Sequence, residues 1–513
     1  MRIRYSGKRI KRKEKRMNIG QAKEYIKQTV KLYLTKGEFG EYVIPVVRQR
    51  PVFLLGAPGV GKTAVMEQIA QELNIALVSY SMTHHTRQSA IGLPFIKHEE
   101  YEGIGYDVTE YTMSEIIASI YETMRETGIK EGILFLDEIN CVSETLAPSM
   151  LQFLQYKVFG RHQVPEGWVI VTAGNPQEFN RAVREFDVAV LDRLKVMNVE
   201  ADYRVWKEYA LEQGIHPAII SFLDLKREYF YMIENTVNGR AYVTARGWED
   251  LSEILKLYED AMLPVDDTLI DQYIRNDSVV KEFAAYYELY NKYKRDYRVE
   301  EILTSGASQE VVKKAAAAGF DERLSLLSML MDRVIADTRN NLNDSDYLAA
   351  LNPMLKKLKE EKENDRVLSR LLEMGESLRK ELNSLKKASA LSKETERVKR
   401  SCIRFMDAAY KNALKEEQAF EAVRRDYNMQ LTAVKERSIA VREELERLFD
   451  FASGAYKDGN EMLILVTEMT VNPHTSRFIA RHGCDRYMKY KDELMITERN
   501  ASMKEEIAQL LEM

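Results

Sequence analysis

One short glycine-rich run has the residue types and spacing needed to bind phosphate. Residues 56–63 read Gly-Ala-Pro-Gly-Val-Gly-Lys-Thr, which is the complete G-x-x-x-x-G-K-[ST] pattern of a phosphate loop. Its glycines let backbone N–H groups turn inward at a helix N-terminus, where the helix dipole favours negative charge. Lys62 is expected to reach the β- and γ-phosphates, and the hydroxyl of Thr63 to hold Mg²⁺. The predicted nucleotide-binding residues are Gly56, Ala57, Pro58, Gly59, Val60, Gly61, Lys62 and Thr63.

The segments on either side of this loop have the patterns that it requires. Residues 52–55 form an apolar run typical of a buried strand, and residues 64–73 carry apolar side chains at helical spacing. A strand, the loop and a helix therefore follow one another along the chain. This order predicts a site for a nucleoside triphosphate, with Mg²⁺ as its companion ion.

A second strand is predicted to deliver two carboxylates beside the phosphate site. The apolar residues 133–136 are followed directly by Asp137 and Glu138. Asp137 is expected to complete the Mg²⁺ shell with Thr63, through water. Glu138 is expected to orient and deprotonate the attacking water, a contribution of roughly 10²–10⁴-fold in rate.

A third strand, residues 168–172, ends in Ala-Gly-Asn-Pro at positions 173–176. Asn175 can hydrogen-bond the γ-phosphate or the attacking water, or it can simply start the turn that Pro176 continues; the two interpretations are compatible. Two arginines follow, Arg193 and Arg246. Taken alone, each would be a surface ion-pair residue.

In their order, these motifs resemble the AAA+ ATPases, and within them the MoxR-like group related to dynein-type and MCM-type modules. The resemblance is specific over roughly residues 18–260 and much weaker beyond. Its motifs after the phosphate loop are Asp137-Glu138-Ile139-Asn140, Ala173-Gly174-Asn175-Pro176, Leu191-Asp192-Arg193 and Thr244-Ala245-Arg246.

The resemblance implies three further site residues. Asn175 corresponds to the sensor-1 residue, Arg193 to an arginine finger that enters a neighbouring subunit's site, and Arg246 to the sensor-2 arginine of the lid. Arg181 and Arg184 precede Arg193 closely and are alternative positions for the finger. The lid motif has alanine where the group more commonly has proline, and it keeps the arginine.

The resemblance also implies an assembly and a partner. The expected assembly is a closed ring, a hexamer by family analogy, with ATP at each interface. Residues 89–114 lie where this group inserts a hairpin, and that insert and the loop around residues 160–167 are expected to face the pore and touch substrate. MoxR-like ATPases act with a protein that carries a von Willebrand factor A domain. Because this chain has no D-x-S-x-S motif, any such partner is expected to be a separate chain.

The fold class expected is α/β, a parallel sheet with helices on both faces, followed by a helical lid and a long all-α C-terminal region. Further strands are predicted at residues 76–80 and 195–199. The predicted boundaries are a disordered basic tail (1–16), an AAA+ nucleotide-binding domain (17–200), a helical lid (201–300), a helical region (301–450) and a C-terminal segment of unknown role (451–513).

Two apolar stripes in the helical region allow either a coiled coil or a helical hairpin that packs on itself. Because the first stripe covers only about three heptads, the pattern favours the hairpin. The first consists of Leu368, Leu371, Leu378, Leu382 and Leu385; the second of Phe420, Val423, Tyr427, Leu431, Val434, Val441, Leu445 and Leu448. Periodicity does not assign residues 462–466 to helix or strand.

Composition narrows the class of protein. With 75 Lys+Arg against 80 Asp+Glu, the net charge of -5 gives no global indication of nucleic acid or of an anionic membrane. Three cysteines without CxxC spacing, and no apolar run near the ~20 residues of a membrane span, fit a cytoplasmic protein. The basic residues ahead of Met17 are either a disordered tail, residues upstream of a start at Met17, or an arm for nucleic acid or acidic lipid.

Two other classes of function stay open at this stage. One is a nucleic-acid motor or restriction-type translocase, which shares the module and is favoured only by the basic tail. The other is an ATP-switched scaffold whose long helices bind a partner.

Overall fold

The computed structural model describes residues 16–84, 87–180, 183–236, 239–361, 363–457 and 459–493. Contacts divide the chain into two units. The first comprises Met1–Val205 together with Leu382–Ser392, and the second comprises Trp206–Glu381 together with Lys393–Met513. The predicted basic tail falls outside the described residues except for Arg16.

The first unit is built on a parallel sheet of six strands. The strands of this unit are β1 (Arg16–Asn18), β2 (Val52–Gly56), β3 (Ala76–Ser81), β4 (Pro94–Tyr101), β5 (Ile104–Tyr111), β6 (Gly132–Asp137), β7 (Val158–Phe159), β8 (His162–Gln163), β9 (Trp168–Gly174) and β10 (Lys195–Glu200). Six of these strands form the main sheet, in the order β1-β10-β2-β9-β6-β3. All five strands predicted for this sheet are present, and β1 adds a sixth through its parallel pairing with β10.

Helices pack against this sheet, as its apolar strands require. The helices of this unit are α1 (Ile19–Tyr33), α2 (Lys62–Leu73), α3 (Arg87–Ile91), α4 (Glu115–Thr127), α5 (Ala147–Tyr156) and α6 (Val188–Leu191). Short 3₁₀ turns lie at Val46–Arg48, Met82–His84 and Ile139–Cys141. Every residue of β9 is buried, which is typical of a parallel strand covered on both faces. The α/β fold class predicted from sequence is confirmed.

Residues 89–114 contain the predicted hairpin. Strands β4 and β5 pair antiparallel from Pro94 opposite Tyr111 to Tyr101 opposite Ile104. Several of their large apolar side chains are exposed, and Ile96 is 76% exposed. A smaller hairpin, β7–β8, lies within the loop region around residues 160–167.

A segment from far along the chain completes the first unit. Leu77 N, on edge strand β3, donates a hydrogen bond of 2.9 Å to the carbonyl of Ala388. Ala388 and Ala390 are buried in the core beneath the sheet, and Leu385 packs against it. Residues 382–392 therefore cover part of an otherwise open strand edge. Nothing in the helical periodicity of the sequence indicates this return.

Over its described residues, the second unit is mainly helical and contains one β-hairpin. The hairpin consists of β11 (Met232–Thr236) and β12 (Gly239–Val243), and a 3₁₀ turn lies at Arg227–Tyr229. The helices from the end of the first unit onward are α7 (Tyr203–Gln213), α8 (Pro217–Leu225), α9 (Ala245–Asp260), α10 (Asp267–Asp271), α11 (Asp277–Asp296), α12 (Val299–Ser305), α13 (Gln309–Ala317), α14 (Phe320–Leu358), α15 (Asn364–Lys387), α16 (Lys393–Ala413), α17 (Ala419–Tyr456), α18 (Asn460–Val471) and α19 (Pro473–His482).

The two apolar stripes pack within the chain. Leu371 and Leu378 of α15 share one buried core with Phe405 of α16 and Val423 of α17. The end of the first stripe leaves this core, since Leu385 packs in the first unit. This is the self-packing arrangement that the sequence favoured over a coiled coil. The unassigned residues 462–466 are helical and lie in α18.

The helices in the described part of the chain include none that is both long and apolar enough to cross a membrane. The domain boundaries drawn from sequence remain predictions.

Candidate functional site

The phosphate loop joins β2 to α2, and its glycines have distinct structural reasons. Gly59 and Gly61 have φ values of 76° and 90°, in the left-handed region that side chains rarely adopt. Gly56 is required for a different reason, because a Cβ there would lie 2.8 Å from the carbonyl oxygen of Val199 on β10. Side chains are therefore sterically disfavoured at both ends of the loop, which leaves its backbone N–H groups accessible to a phosphate.

Lys62 begins α2 and is only 8% exposed. Its Nζ donates to the carbonyl oxygens of Gly56 at 2.8 Å and Ala57 at 2.9 Å, and to Oδ1 of Asn175 at 2.9 Å. Strand β9, which carries Asn175 just beyond its end, is the direct neighbour of β2. The structure thus brings the predicted sensor asparagine and the loop lysine into contact.

Thr63 and Asp137 form the second contact of the site. The Thr63 hydroxyl donates to Oδ2 of Asp137 at 3.0 Å. Asp137 is the last residue of β6, and the parallel sheet places that strand end at the same edge as the loop. A hydroxyl and a carboxylate at this spacing are oxygen donors of the kind that Mg²⁺ prefers.

Glu138 sits in an unusual backbone conformation. Its φ is 54°, which is uncommon for a residue other than glycine, and its N–H donates to Oδ1 of Asp137 at 2.8 Å. Its Oε2 accepts hydrogen bonds from Ser81 Oγ at 3.1 Å and from Thr83 Oγ1 at 3.0 Å. The carboxylate is therefore held by the end of β3 and the turn that follows it.

Ser81 and Thr83 are site residues that the sequence analysis missed. They follow the predicted strand 76–80, whose carboxyl end lies at the same sheet edge as those of the other parallel strands. Ligands of open α/β sheets bind at that edge, so polar residues just beyond each strand were a usable signal.

Asn140 is a second missed residue, although it belongs to a quoted motif. It is 4% exposed, and its Nδ2 donates to the carbonyl of Asn175 at 2.8 Å. A Cβ at position 174 would lie 2.4 Å from Oδ1 of Asn140, so this approach requires Gly174. Asn140 therefore fixes the backbone that presents Asn175.

Cys141 lies next to this asparagine and is not a candidate nucleophile. Burial raises the pKa of its thiol, and the nearby carboxylates of Glu138 and Asp137 raise it further. Because the thiolate is the reactive form of cysteine, a raised pKa keeps this side chain inert.

The arginine-finger candidates differ in what they contact. Arg193 is exposed just after α6, and its Nη1 donates to the carbonyl of Ala189 at 2.5 Å. Arg184 instead forms an ion pair with Glu144. Arg181 lies outside the described residues. Arg193 thus has a solvent-facing guanidinium, and its role remains a prediction.

Arg246 belongs to the second unit and is the second residue of α9. It is exposed, while the start of its helix is fixed by the Thr244 side chain, which accepts from Gly247 N at 3.2 Å. Gly247 allows close packing, because a Cβ there would lie 2.8 Å from the carbonyl of Tyr273. The sensor-2 assignment also remains a prediction.

The residues of this site fit MgATP. Lys62 and the loop N–H groups can contact phosphates, and Thr63 with Asp137 supplies oxygen ligands for the ion. The fold and the site define a class: a phosphate-loop nucleotide-binding domain with a parallel sheet.

Comparison with known proteins narrows this class. Residues 52–193 match the family "ATPase family associated with various cellular activities (AAA)". The match supports an ATPase of the AAA+ type, whose domains bind nucleotide, typically with Mg²⁺, and commonly assemble into rings.

The other comparisons add little. No curated protein matches the chain in sequence. Among solved structures, a crystal structure of NtrX from Brucella abortus matches at 17% identity with a TM-score of 0.24. The match covers 41% of this chain and 45% of that one, so the chain spans less than half the length of that relative.

Proposed function

We propose that this chain is a MoxR-like AAA+ ATPase that hydrolyses ATP in a ring to remodel or mature a partner protein. The partner would be a separate chain with a von Willebrand factor A domain. One observation carries the ATPase part: five predicted site residues come together at one edge of the sheet. Hydrogen bonds of 2.8–3.0 Å join Lys62 to Asn175, Thr63 to Asp137, and the N–H of Glu138 to Asp137.

Binding exchanges one set of contacts for another. In the structure, the ammonium group of Lys62 donates hydrogen bonds to two loop carbonyls and to Asn175. Phosphate oxygens of ATP would replace some of these acceptors. Thr63 and Asp137 would hold Mg²⁺, and bound Mg²⁺ supplies charge neutralisation at the β- and γ-phosphate oxygens. Asn175, released from Lys62, would be free to contact the γ-phosphate or the water.

Hydrolysis requires Glu138 to accept a proton from water. In the structure its carboxylate accepts hydrogen bonds from Ser81 and Thr83, which occupy the lone pairs of Oε2 and hold the side chain at the end of β3. The arrangement is a resting one, and turnover would require Glu138 to leave at least one hydroxyl. Asn140 would keep the Asn175 backbone in place meanwhile.

The ring supplies what one subunit lacks. Arg193 would enter the neighbouring site and stabilise the developing charge, a contribution of roughly 10³–10⁵ in rate for arginine fingers. Arg246 would contact the γ-phosphate from the lid. The exposed guanidinium of Arg193 supports this proposal.

Partner contact would fall to the β4–β5 hairpin. It exposes Phe95, Ile96, Ile104 and Tyr106 to between 42% and 76%, and grouped exposed apolar side chains are typical of interaction sites. Apolar side chains at that site could grip an unfolded or flexible segment without sequence specificity. The hairpin is therefore the proposed substrate-contacting element.

The test is affinity capture with the full-length Glu138→Gln variant in ATP and then in ADP. This change removes the base while leaving the ligands of nucleotide and Mg²⁺ intact, so we expect turnover to fall roughly 10²–10⁴-fold with nucleotide binding retained. Lys62→Ala is the matched control that should fail to bind nucleotide. A stoichiometric protein with a von Willebrand factor A domain, retained only with ATP, would support the proposal.

Two other outcomes of the affinity capture would favour the alternative functions. Nucleic acid recovered without a protein client would contradict the remodelling role and favour the motor alternative. A partner whose affinity follows the bound nucleotide, with wild-type turnover too slow to drive work, would favour the scaffold instead.

A further inference from the structure

Arg339 of the second unit has no anionic partner among the residues that the structure describes. Arg339 lies on α14, and its Nε is buried without a hydrogen-bond partner. The guanidinium lies against the turn after α7, since a Cβ at Gly214 would come within 2.5 Å of its Nη1. Burial lowers the pKa of Arg339, and the nearby Arg397 lowers it further. A partly buried guanidinium with a like charge as its neighbour is an expensive arrangement.

The neighbours of Arg339 come from two other helices. Helix α14 packs against both α16, which carries Arg397, and α19, which carries His474 and Arg477. Burial lowers the pKa of His474, and Arg339, Arg397 and Arg477 all act in the same direction. We refer to Arg339, Arg397, His474 and Arg477 as the arginine cluster.

Nearby carboxylates neutralise only one side of this cluster. Asp346 binds Arg477 through both of its oxygens, at 2.8 and 2.6 Å, and also approaches Arg481 at 3.5 Å. Glu394 lies 3.9 Å from Arg477. Among the described residues, neither Arg339 nor Arg397 forms an ion pair with a carboxylate. The positive charge of these two side chains is therefore uncompensated.

A second unsatisfied donor lies at the same end of α19. Asn472 is the N-cap of this helix and is 1% exposed. Its Oδ1 accepts from the N–H groups of His474 and Thr475, at 3.0 and 3.2 Å, but its Nδ2 is buried and has no partner among the residues that are described. Buried unpaired donors are rare in folded proteins. Here one belongs to Arg339 on α14, and the other to the N-cap residue of α19, the helix that packs against α14.

We propose that the arginine cluster binds an oxyanion of the phosphate class, held by Arg339 and Arg397 at the N-terminal end of α19. The planar guanidinium matches pairs of phosphate oxygens, and a tetrahedral dianion can accept from several converging donors at once. The helix dipole adds to the attraction. A monocarboxylate offers only two oxygens and one charge, so it matches this number of donors less well.

The site is separate from the phosphate loop and needs a test that removes the loop's own affinity. Thermal unfolding of full-length Lys62→Ala would be followed with inorganic phosphate and with chloride at equal ionic strength. We expect phosphate at ten times its Kd to raise the midpoint by roughly 2–4 °C. Adding Arg339→Met or Arg397→Met should weaken the phosphate Kd roughly tenfold or more, measured by calorimetry.

Controls separate binding from a structural role. Without phosphate, Arg339→Met should unfold at the same temperature or higher, because the uncompensated charge is gone; a purely structural arginine would show a loss. Arg397 is exposed on α16, so its variant decides the question if Arg339→Met does not fold. Arg425→Met, at an arginine paired with Glu416 outside the cluster, should leave phosphate affinity unchanged.

Three results would overturn the proposal. They are no stabilisation of Lys62→Ala by phosphate beyond chloride, equal stabilisation of every variant, and an equal effect from acetate. Adenosine 5′-monophosphate distinguishes the source of the phosphoryl group: tighter binding than inorganic phosphate indicates a nucleotide, and equal binding indicates the free ion.

Discussion

The phosphate loop of the first unit and the arginine cluster of the second both present buried donors, but they differ in what those donors contact. Lys62 is satisfied within its own site by two carbonyls and Asn175. Arg339 Nε and Asn472 Nδ2 have no hydrogen-bond partner in the described part of the chain. The first site is therefore stable when empty, and a ligand must displace existing bonds. The second gains new bonds from a ligand and is destabilised without one.

The same contrast extends through each unit. Of the buried side-chain polar atoms without a partner in the described residues, those of Asp332, Arg339, Glu444, Tyr456 and Asn472 lie in the second unit, and only that of Trp168 lies in the first. The second unit therefore contains more buried polar atoms that could gain a hydrogen bond from a ligand or a change of protonation.

The largest expected effect is on ATP turnover, when the arginine proposed to act at a neighbouring subunit's phosphate loop is removed. If Lys62 is assisted by an arginine from a neighbouring subunit, Arg193→Ala should lower turnover by roughly 10³-fold or more, measured as phosphate release above the assembly concentration. Mixing Arg193→Ala with Glu138→Gln subunits should restore part of the activity, because each supplies what the other lacks.

Absence of complementation in that mixture would contradict a finger acting in trans. Arg184→Ala tests the alternative finger. Its guanidinium is already paired with Glu144, so we expect little change in turnover. A loss as large as that of Arg193→Ala would reassign the role.

The next effect is on basal turnover, when the hydrogen bonds from Ser81 and Thr83 to Glu138 are removed. Replacing both hydroxyls, by Ser81→Ala with Thr83→Val, should release the carboxylate and raise basal turnover several-fold, up to about tenfold. Ser79→Ala, at an exposed serine of the same strand, is the matched control and should have no effect. A fall in turnover would show instead that the hydroxyls position the base for catalysis.

The two sites also differ in how far the sequence reveals them. The phosphate loop is contiguous, and the apolar strands at 52–55, 133–136 and 168–172 place Asp137 and Asn175 at one sheet edge without further information. The arginine cluster joins positions 339, 397 and 474 on three helices, and helical periodicity does not state which helix faces pack together. For the same reason, the return of residues 382–392 to strand β3 had no sequence signal.

A smaller effect concerns an unsatisfied acid of the second unit. Asp332 Oδ2 is buried and has no hydrogen-bond partner within the described residues. It lies near Lys207, which already binds Asp224 at 3.0 Å and Glu468 at 2.5 Å. Burial raises the pKa of Asp332 to about 8, with Lys207 opposing and the two other carboxylates reinforcing this shift.

The sign of the pH dependence follows from that shift. Between about pH 4 and 8 the native state keeps a proton that the unfolded state has lost, so the unfolding free energy falls as pH rises through this range. Asp332→Asn removes this loss. The unfolding free energy of this variant minus that of the wild type, from urea unfolding, should be smallest near pH 4 and grow by up to about 1.4 kcal/mol for each pH unit towards pH 8. A difference that does not change with pH would show that Asp332 is ionised in the folded protein.

The smallest effect is expected for the pH dependence of stability at Lys157, a buried lysine of the first unit whose amine is hydrogen-bonded. Lys157 is 1% exposed, and its Nζ donates to the carbonyls of Val46 and Gln49. Burial lowers the pKa of this amine to about 7. A neutral amine still carries two N–H donors, which is the number of carbonyls it contacts, so losing the proton leaves both hydrogen bonds in place.

The unfolded state keeps its proton to about pH 10.5, so the unfolding free energy should rise as pH increases from 7 towards 10.5. Lys157→Met abolishes this rise, and comparing the two proteins by urea unfolding at pH 7 and pH 9 should give a difference on the order of 1–2 kcal/mol. Below pH 6 both states of the wild type are charged, and the difference should stop changing. If the wild type showed no gain above pH 7, the lysine would remain charged in the core, and the first unit would tolerate an unpaired cation as the second unit does.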